Sequence, residues 1–279
     1  MQEFIELANT LADAAGEIIK KYYRTPFNIE QKGDMSPVTV ADRAVEKRLR
    51  EILEDRRPQD GILGEEFGRK ESQSGLTWVI DPIDGTKSFM IGRPTFGTLI
   101  ALCEDDVPKL GVIDQAISAE RWVGVRGEET IFYSDLNARP PAPSELSPPA
   151  GGRIKVGVEI AKTRPCSSLN DAIICSTTPS MFDGMPPYFE RFHQGKMAHG
   201  LIWGGDCYMY GLLASGHLDM TIEAALSPYD FAALVPVVEG AGGIICDYAG
   251  NPLTLQSSGQ VIALGDSSLL PEVLKKLDD

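Results

Sequence analysis

The sequence predicts an α/β protein whose front half is α+β. Three observations predict it: two helix-spaced apolar stretches open the chain, strands then follow in close succession, and beyond residue 152 strands and helices alternate. Phe4, Ala8, Leu11, Ala15, Ile18 and Tyr22 recur at helical spacing, and the pattern stops near Thr25-Pro26. A second helix runs from about Val40 to Leu53, with Val45, Leu49 and Ile52 on its buried face. The stretch Trp78–Asp84 begins as a short buried strand, which Pro82 should break because it brings no backbone N–H. Residues 95–103, 109–115 and 121–127 read as strands close enough for antiparallel pairing.

Residues 137–152, NARPPAPSELSPPAGG, read as a linker or a long surface loop. They divide the chain into a half at 1–150 and a half at 151–279. Strands follow at 154–160 and 172–176, then helices at 183–194 and 205–215 and a strand at 218–223. A helix at 229–240 should be kinked by Pro236. Gly240-Ala241-Gly242-Gly243 ends it, lacks the G-x-G-x-x-G spacing, and leads into strands at 243–247 and 260–264 and a last helix at 267–277.

The 279 residues carry 26 Lys plus Arg against 40 Asp plus Glu, a formal net charge of −14. That surplus argues against nucleic acid and anionic membranes as partners, both of which need basic excess. At first it argues against a phosphorylated substrate too. The N-terminal helix carries acids throughout and lacks a basic leader, and no apolar run approaches a membrane span, so the expected location is the cytoplasm. The five cysteines are scattered and without a C-x-x-C pair, which fits small core residues in a reducing compartment. His193, His199 and His217 show no zinc-ligand spacing.

The chemistry concentrates in Asp81-Pro82-Ile83-Asp84-Gly85-Thr86. Two carboxylates at a broken strand end can converge on one point, with the Ile83 carbonyl as a neutral oxygen ligand; hard cations such as Mg²⁺ take such donors. Gly85 and Thr86 would offer backbone N–H groups to an anion. A plain turn at Asp84-Gly85 with Asp81 as a cap explains the same letters. Three further acids stand out: Asp42 and Asp230 at helix starts, where capping alone would explain them, and Glu65 after an apolar pair, where a solvated surface acid would do.

Four elements in order then resemble the inositol monophosphatase family. WVIDPIDGTKSFMIGRPTF is similar to its first signature, and SPYDFAALVPVVEGAGG to its second, with Tyr229 for the usual Trp and the acid shifted by one. ILGEEFG is similar to the upstream G-E-E element, and SPVTVADRAVEK to V-T-x-x-D. The resemblance implies the layered αβαβα sugar-phosphatase fold and a homodimer. It also implies that Glu65, Asp81, Asp84, Asp230 and the Ile83 carbonyl hold two or three Mg²⁺ ions. Asp42 and Thr86 would position and deprotonate a water beside Glu65, and the Gly85 and Thr86 amides would cradle the phosphate. The cations would supply the positive charge that the sequence lacks.

Residues 163–182 and 203–230 look most like histidinol-phosphate phosphatases, the plainest feature being Gly204-Gly205-Asp206 where inositol-type members carry small uncharged residues. The leaving group would face Trp203, Gly204, Gly205, Asp206 and Glu223. Asp206 suits an ammonium group, although a helix N-cap explains it as well. Arg164 and Arg191 read first as surface residues, with contacts to the phosphate or to a neighbouring subunit as the alternatives. The expected substrate is L-histidinol phosphate, a small phosphorylated metabolite of histidine biosynthesis. The alternatives are an inositol-1-monophosphatase, a broad sugar-phosphate phosphatase, or a catalytically silent regulatory partner on the same fold.

Overall fold

The computed structural model describes residues 1–26, 29–31, 37–134, 157–185 and 201–278. Helix α1 (Gln2–Tyr22) is followed by a ribbon of β1 (Ile29–Gln31) and β2 (Pro37–Thr39), then helix α2 (Val40–Arg56). Each helix buries one stripe: Leu7, Leu11 and Ala15 on α1, Val45, Leu49 and Leu53 on α2. This three-and-four spacing is what a helix needs to lie on a flat apolar surface.

That surface is an eight-stranded sheet. Its strands are β3 (Gly61–Gly64), β4 (Gly68–Lys70), β5 (Leu76–Asp84), β6 (Gly97–Glu104), β7 (Val107–Gln115), β8 (Glu120–Val125), β9 (Ile131–Tyr133) and β10 (Val158–Ile160). The spatial order is β10-β9-β8-β7-β6-β5-β3-β4, antiparallel throughout except for β3 beside β5. Trp78, Ile80, Ile100, Leu102 and Val112 point to the α1–α2 side. Val79, Leu99, Ala101, Cys103 and Ile113 alternate with them and point the other way. Both faces are apolar because both are covered.

The short helix α3 (Thr86–Met90) leaves the end of β5. On the second face of the large sheet lie α4 (Tyr208–Ala214), α5 (Pro228–Phe231) and α6 (Leu234–Gly240). Gly111 and Gly124 face each other across β7 and β8, and a Cβ on either would run into the backbone carbonyls of Ala233 or Pro236. The two glycines let α6 sit directly on the sheet.

Beyond these helices lies a five-stranded sheet of β11 (Ile174–Ser176), β12 (Leu201–Trp203), β13 (Met220–Glu223), β14 (Ile244–Cys246) and β15 (Val261–Leu264), ordered β12-β11-β13-β15-β14. Cys175, Val261 and Ala263 join the middle core, while Ile174, Met220, Ile222 and Ile262 face outward under α7 (Leu270–Asp278). The result is the layered αβαβα fold.

Four expectations need adjusting. β5 does not end at Pro82 but resumes at Asp84 after a register shift. The helix expected at 229–240 is two helices with a turn at Ala232–Ala233. Pro236 would have donated its N–H to the Ala232 carbonyl, so the break falls where that bond is missing. The last helix opens with a 3₁₀ turn at Ser267–Leu269 before α7. The helix expected at 183–194, the stretch 137–152, Arg191, His193 and His199 lie wholly or mostly outside the described residues.

Candidate functional site

The site is built on an irregularity in β5. Asp81 stands opposite Leu99 and Asp84 opposite Gly97, so three steps on β5 match two on β6. In a regular strand residues i and i+3 point to opposite faces; one extra residue brings them to the same side. Pro82 gives up no ladder bond there, and its carbonyl accepts the Thr98 hydroxyl at 2.8 Å. The Ile83 N–H donates to Asp81 Oδ1 at 3.0 Å and fixes that carboxylate over the bulge. Cys207 N–H donates to Asp84 Oδ2 at 2.6 Å.

Asp230 arrives from another direction. It is the third residue of α5, and its Oδ2 accepts the Ser227 N–H at 2.6 Å in a reciprocal capping box. Capping and site-building are thus the same placement: carboxylate oxygens of Asp81, Asp84 and Asp230 lie within 4.8 Å of one another. Burial, together with the charges of Glu65, Asp84 and Asp230, pushes the Asp81 carboxyl well above the usual range. Burial and the Asp230 and Asp206 charges do the same to Asp84. Crowding of this kind calls for cations.

Glu65 sits in the turn between β3 and β4 and lines the cavity in front of the three aspartates; it is not a solvated surface acid. The turn is held from beneath by Glu46 of α2, whose buried carboxylate accepts the N–H groups of Glu66 at 2.6 Å and Phe67 at 3.1 Å and the Arg50 Nε–H at 2.8 Å. Gly64 leaves room for it, because a Cβ there would overlap the Glu46 carboxylate. The Thr86 hydroxyl lies 3.2 Å from the Ile83 carbonyl and 3.4 Å from Oδ1 of the buried Asp42. Gly85 holds φ at +83°, the left-handed turn that lets Thr86 start α3.

The same cavity, about 270 Å³ in volume, is also lined by Asp206, Tyr210 and Glu223. Burial pushes Glu223 up to about 7. The Tyr210 hydroxyl donates to its Oε2 at 2.9 Å, while Oε1 accepts no hydrogen bond among the described residues. Asp206 is not the side-chain cap of α4; its Oδ2 instead accepts hydroxyls from Ser88 and Thr95, each at 2.5 Å. Lys87 is the one basic residue on the cavity wall among the described residues.

Not every expected residue reaches the cavity wall. Asp42, Asp81 and Ile83 are not among its lining residues, nor are Trp203, Gly204 and Gly205: Trp203 ends β12 and packs into the outer core, Gly204 lies against the Arg93 guanidinium, and Gly205 against Met209 and Cys175. The glycines serve close backbone packing. Arg164 forms a bidentate pair with buried Asp219 at 2.7 and 2.6 Å and reaches no phosphate site. Ser88, Thr95, Tyr210 and Glu46 escaped the sequence reading, since their partners lie far along the chain or, for Glu46, the i+4 Arg50 makes it look like a surface pair.

The family model for the inositol monophosphatase family matches residues 1–279. The chain belongs to that family. It is 40% identical over 289 residues to the bifunctional phosphatase IMPL2, chloroplastic, of Arabidopsis thaliana, across 100% of this chain and 76% of that protein. It is 37% identical to a histidinol-phosphatase of Mycobacterium tuberculosis, across 88% and 87% of the two chains. A solved inositol monophosphatase from Zymomonas mobilis superposes with a TM-score of 0.81 at 43% identity, covering 99% and 98%. The fold and the phosphatase class are therefore those of the inositol monophosphatases. No helix among the described residues is long and apolar enough to cross a membrane.

Proposed function

We propose that this phosphatase is a Mg²⁺-dependent phosphomonoesterase that hydrolyses L-histidinol phosphate to L-histidinol and phosphate, in histidine biosynthesis. The observation that carries the substrate is the pair Asp206 and Glu223, two buried acids that line the cavity together with Asp84 and Asp230 of the acidic cluster. A polyol gains little from two carboxylates; an ammonium and an imidazole gain charge-assisted hydrogen bonds. The histidinol-phosphatase relative supports the same reading.

Glu65, Asp81, Asp84, Asp230 and the Ile83 carbonyl would hold Mg²⁺, and the crowded buried carboxylates fit such a charge. Bound there, the cation supplies acidification of a water and neutralisation of phosphate charge. The chain's own residues do the rest. Thr86, donating its hydroxyl hydrogen to Asp42 or to the Ile83 carbonyl, keeps lone pairs free to accept a hydrogen bond from water and so aims a water lone pair at phosphorus. Asp42, 3.4 Å from the Thr86 hydroxyl, and Glu65 on the cavity wall would be the bases that take the water's proton. The Gly85 and Thr86 amides stabilise the phosphoryl oxygens. In this division of labour the half at 1–150 handles metal and phosphate, and the half at 151–279 brings Asp230 and the substrate wall. Five free buried cysteines suit a cytoplasmic enzyme, and the family likeness suits a homodimer acting on a small metabolite.

Phosphate release across histidinol phosphate, inositol 1-phosphate and fructose bisphosphate tests the reading. Histidinol phosphate should give the highest kcat/KM, and Asp206→Ala should raise its KM about tenfold or more while inositol phosphate is less affected. A higher kcat/KM for inositol phosphate overturns the assignment in favour of the inositol-1-monophosphatase reading, which the Zymomonas mobilis similarity supports.

A further inference from the structure

Asp206 is held differently from the ion-paired buried aspartates of this protein. Asp60, Asp114 and Asp219 are also buried, and each is paired with an arginine: Arg57 at 2.9 Å, Arg121 at 2.6 Å and Arg164 at 2.6 Å. Asp206 is 7% exposed, and among the described residues no Lys or Arg pairs with it. The nearby Arg93 donates to the Trp203 carbonyl instead. Two neutral hydroxyls, Ser88 Oγ and Thr95 Oγ1, donate to one oxygen, Oδ2. They satisfy that oxygen without cancelling the charge.

The other oxygen, Oδ1, accepts no hydrogen bond among the described residues, and the residue lines the cavity. Two donors on Oδ2 block rotation about the Cβ–Cγ bond, so Oδ1 is pre-oriented. The backbone agrees: Asp206 sits at φ +44°, a left-handed conformation that a non-glycine residue keeps when its surroundings over-determine it. Gly85 is cut to match, since a Cβ there would stand 2.7 Å from Asp206 Cγ.

We propose that Ser88 and Thr95 are specificity-positioning residues, which fix Asp206 as an un-neutralised carboxylate with one oxygen held ready for the cationic end of the leaving group. The inference rests on the histidinol phosphate reading and deepens it: an amine-bearing phosphate ester is selected by two hydroxyls that never touch it. A merely structural role would weaken all substrates alike.

The test is the ratio of kcat/KM for L-histidinol phosphate over phenyl phosphate, whose leaving group has no charge, in the Mg²⁺-loaded enzyme. Wild type should favour the cationic ester. Thr95→Val, which keeps the shape and loses the hydroxyl, should lower the ratio about tenfold through KM, and Ser88→Ala/Thr95→Val should lower it further toward the Asp206→Asn value. Thr95→Ser should restore it. Either single variant carries the test where the double fails to fold. If Asp206→Asn lowers the ratio while the hydroxyl variants keep the wild-type value, the positioning role is overturned and the substrate reading stands. If wild type shows no preference, or Asp206→Asn leaves the preference intact, the substrate reading falls and takes the inference with it.

Discussion

Beside the cavity, on the large-sheet side, Asp81 and Asp84 share one bulged strand, Asp230 brings a third carboxylate within 4.8 Å of theirs, and the charges of Glu65, Asp84 and Asp230 bear on Asp81. On the small-sheet wall, Asp206 and Glu223 are attended by hydroxyls, from Ser88 and Thr95 in one case and Tyr210 in the other. The first arrangement concentrates negative charge beyond what the protein itself balances. The second spaces single charges and orients them. Under the proposed function, a charge cluster of the first kind would govern whether any ester is cleaved, and oriented single charges would govern which one.

The largest effect should come from Asp84→Asn. Turnover of every phosphate ester should fall by about 10³-fold or more, with the fold retained, because the proposed Mg²⁺ site would lose one of its ligands. Unchanged hydrolysis would break the contrast at its root. The same wall carries a pH signature in chelated protein. Asp81 and Asp84 have folded pKa values raised above the ordinary 3.8, so the folded form holds protons that the unfolded chain releases. That stabilisation is complete below pH 3.8 and is lost as pH rises through the folded values. Glu223, raised from 4.5 to about 7, acts in the same sense. Asp60, held low by Arg57 and neighbouring donors against its burial, titrates below this window. Scanning calorimetry in EDTA should show Tm falling as pH rises above 5, and saturating Mg²⁺ should remove most of the fall. A chelated Tm that climbs over that range contradicts the cluster's raised values.

The two walls also differ in how far the sequence announces them. Asp81-Pro82-Ile83-Asp84 is contiguous, and Pro82 alone signals that the ladder is interrupted where the acids must converge. Asp206, by contrast, takes its hydroxyls from positions 118 and 111 residues away, which no local pattern encodes. The expectation that Gly204 and Gly205 face the leaving group came from the family resemblance, not from what packs around them. They are small because Arg93, Met209 and Cys175 press against the backbone there. The layers themselves were legible wherever alternation ran long, as in β5 to β8. They were not legible in three-residue strands such as β4, β9 and β12, which have too few positions to show a period.

A smaller effect, still on the large-sheet wall, should follow Glu46→Ala. The substitution strands the Glu66 and Phe67 amides and the partly buried Arg50, at a cost of about 3 kcal/mol, and loosens the turn that carries Glu65. Mg²⁺ affinity measured by titration calorimetry should drop about tenfold or more, as for other groups that orient a metal ligand. Glu46→Gln keeps one acceptor oxygen and should lie between the two. Wild-type Mg²⁺ affinity in a destabilised Glu46→Ala protein would show that Glu65 needs no such support.

The smallest effect on activity should come from Arg164, although its partner is as deeply buried as the catalytic acids. Its guanidinium takes both oxygens of Asp219, which also accepts the Ile173 N–H at 2.7 Å and so ties the start of β11 to the start of β13. Arg164→Met removes both guanidinium bonds from Asp219 while the Ile173 N–H remains, and stability should fall by about 2 kcal/mol, or roughly 4–6 °C in Tm. The guanidinium is itself partly exposed, which keeps the loss below that of a fully buried pair. Both strands lead to the cavity, through Thr177 just after β11 and through Glu223 at the end of β13, but the pair sits at their opposite ends, so kcat/KM for histidinol phosphate should stay within about twofold of wild type. A KM that rises with the fall in Tm would mean that the substrate wall depends on the whole depth of the small sheet, and the oriented charges of Asp206 and Glu223 would then owe their placement to more than the hydroxyls beside them.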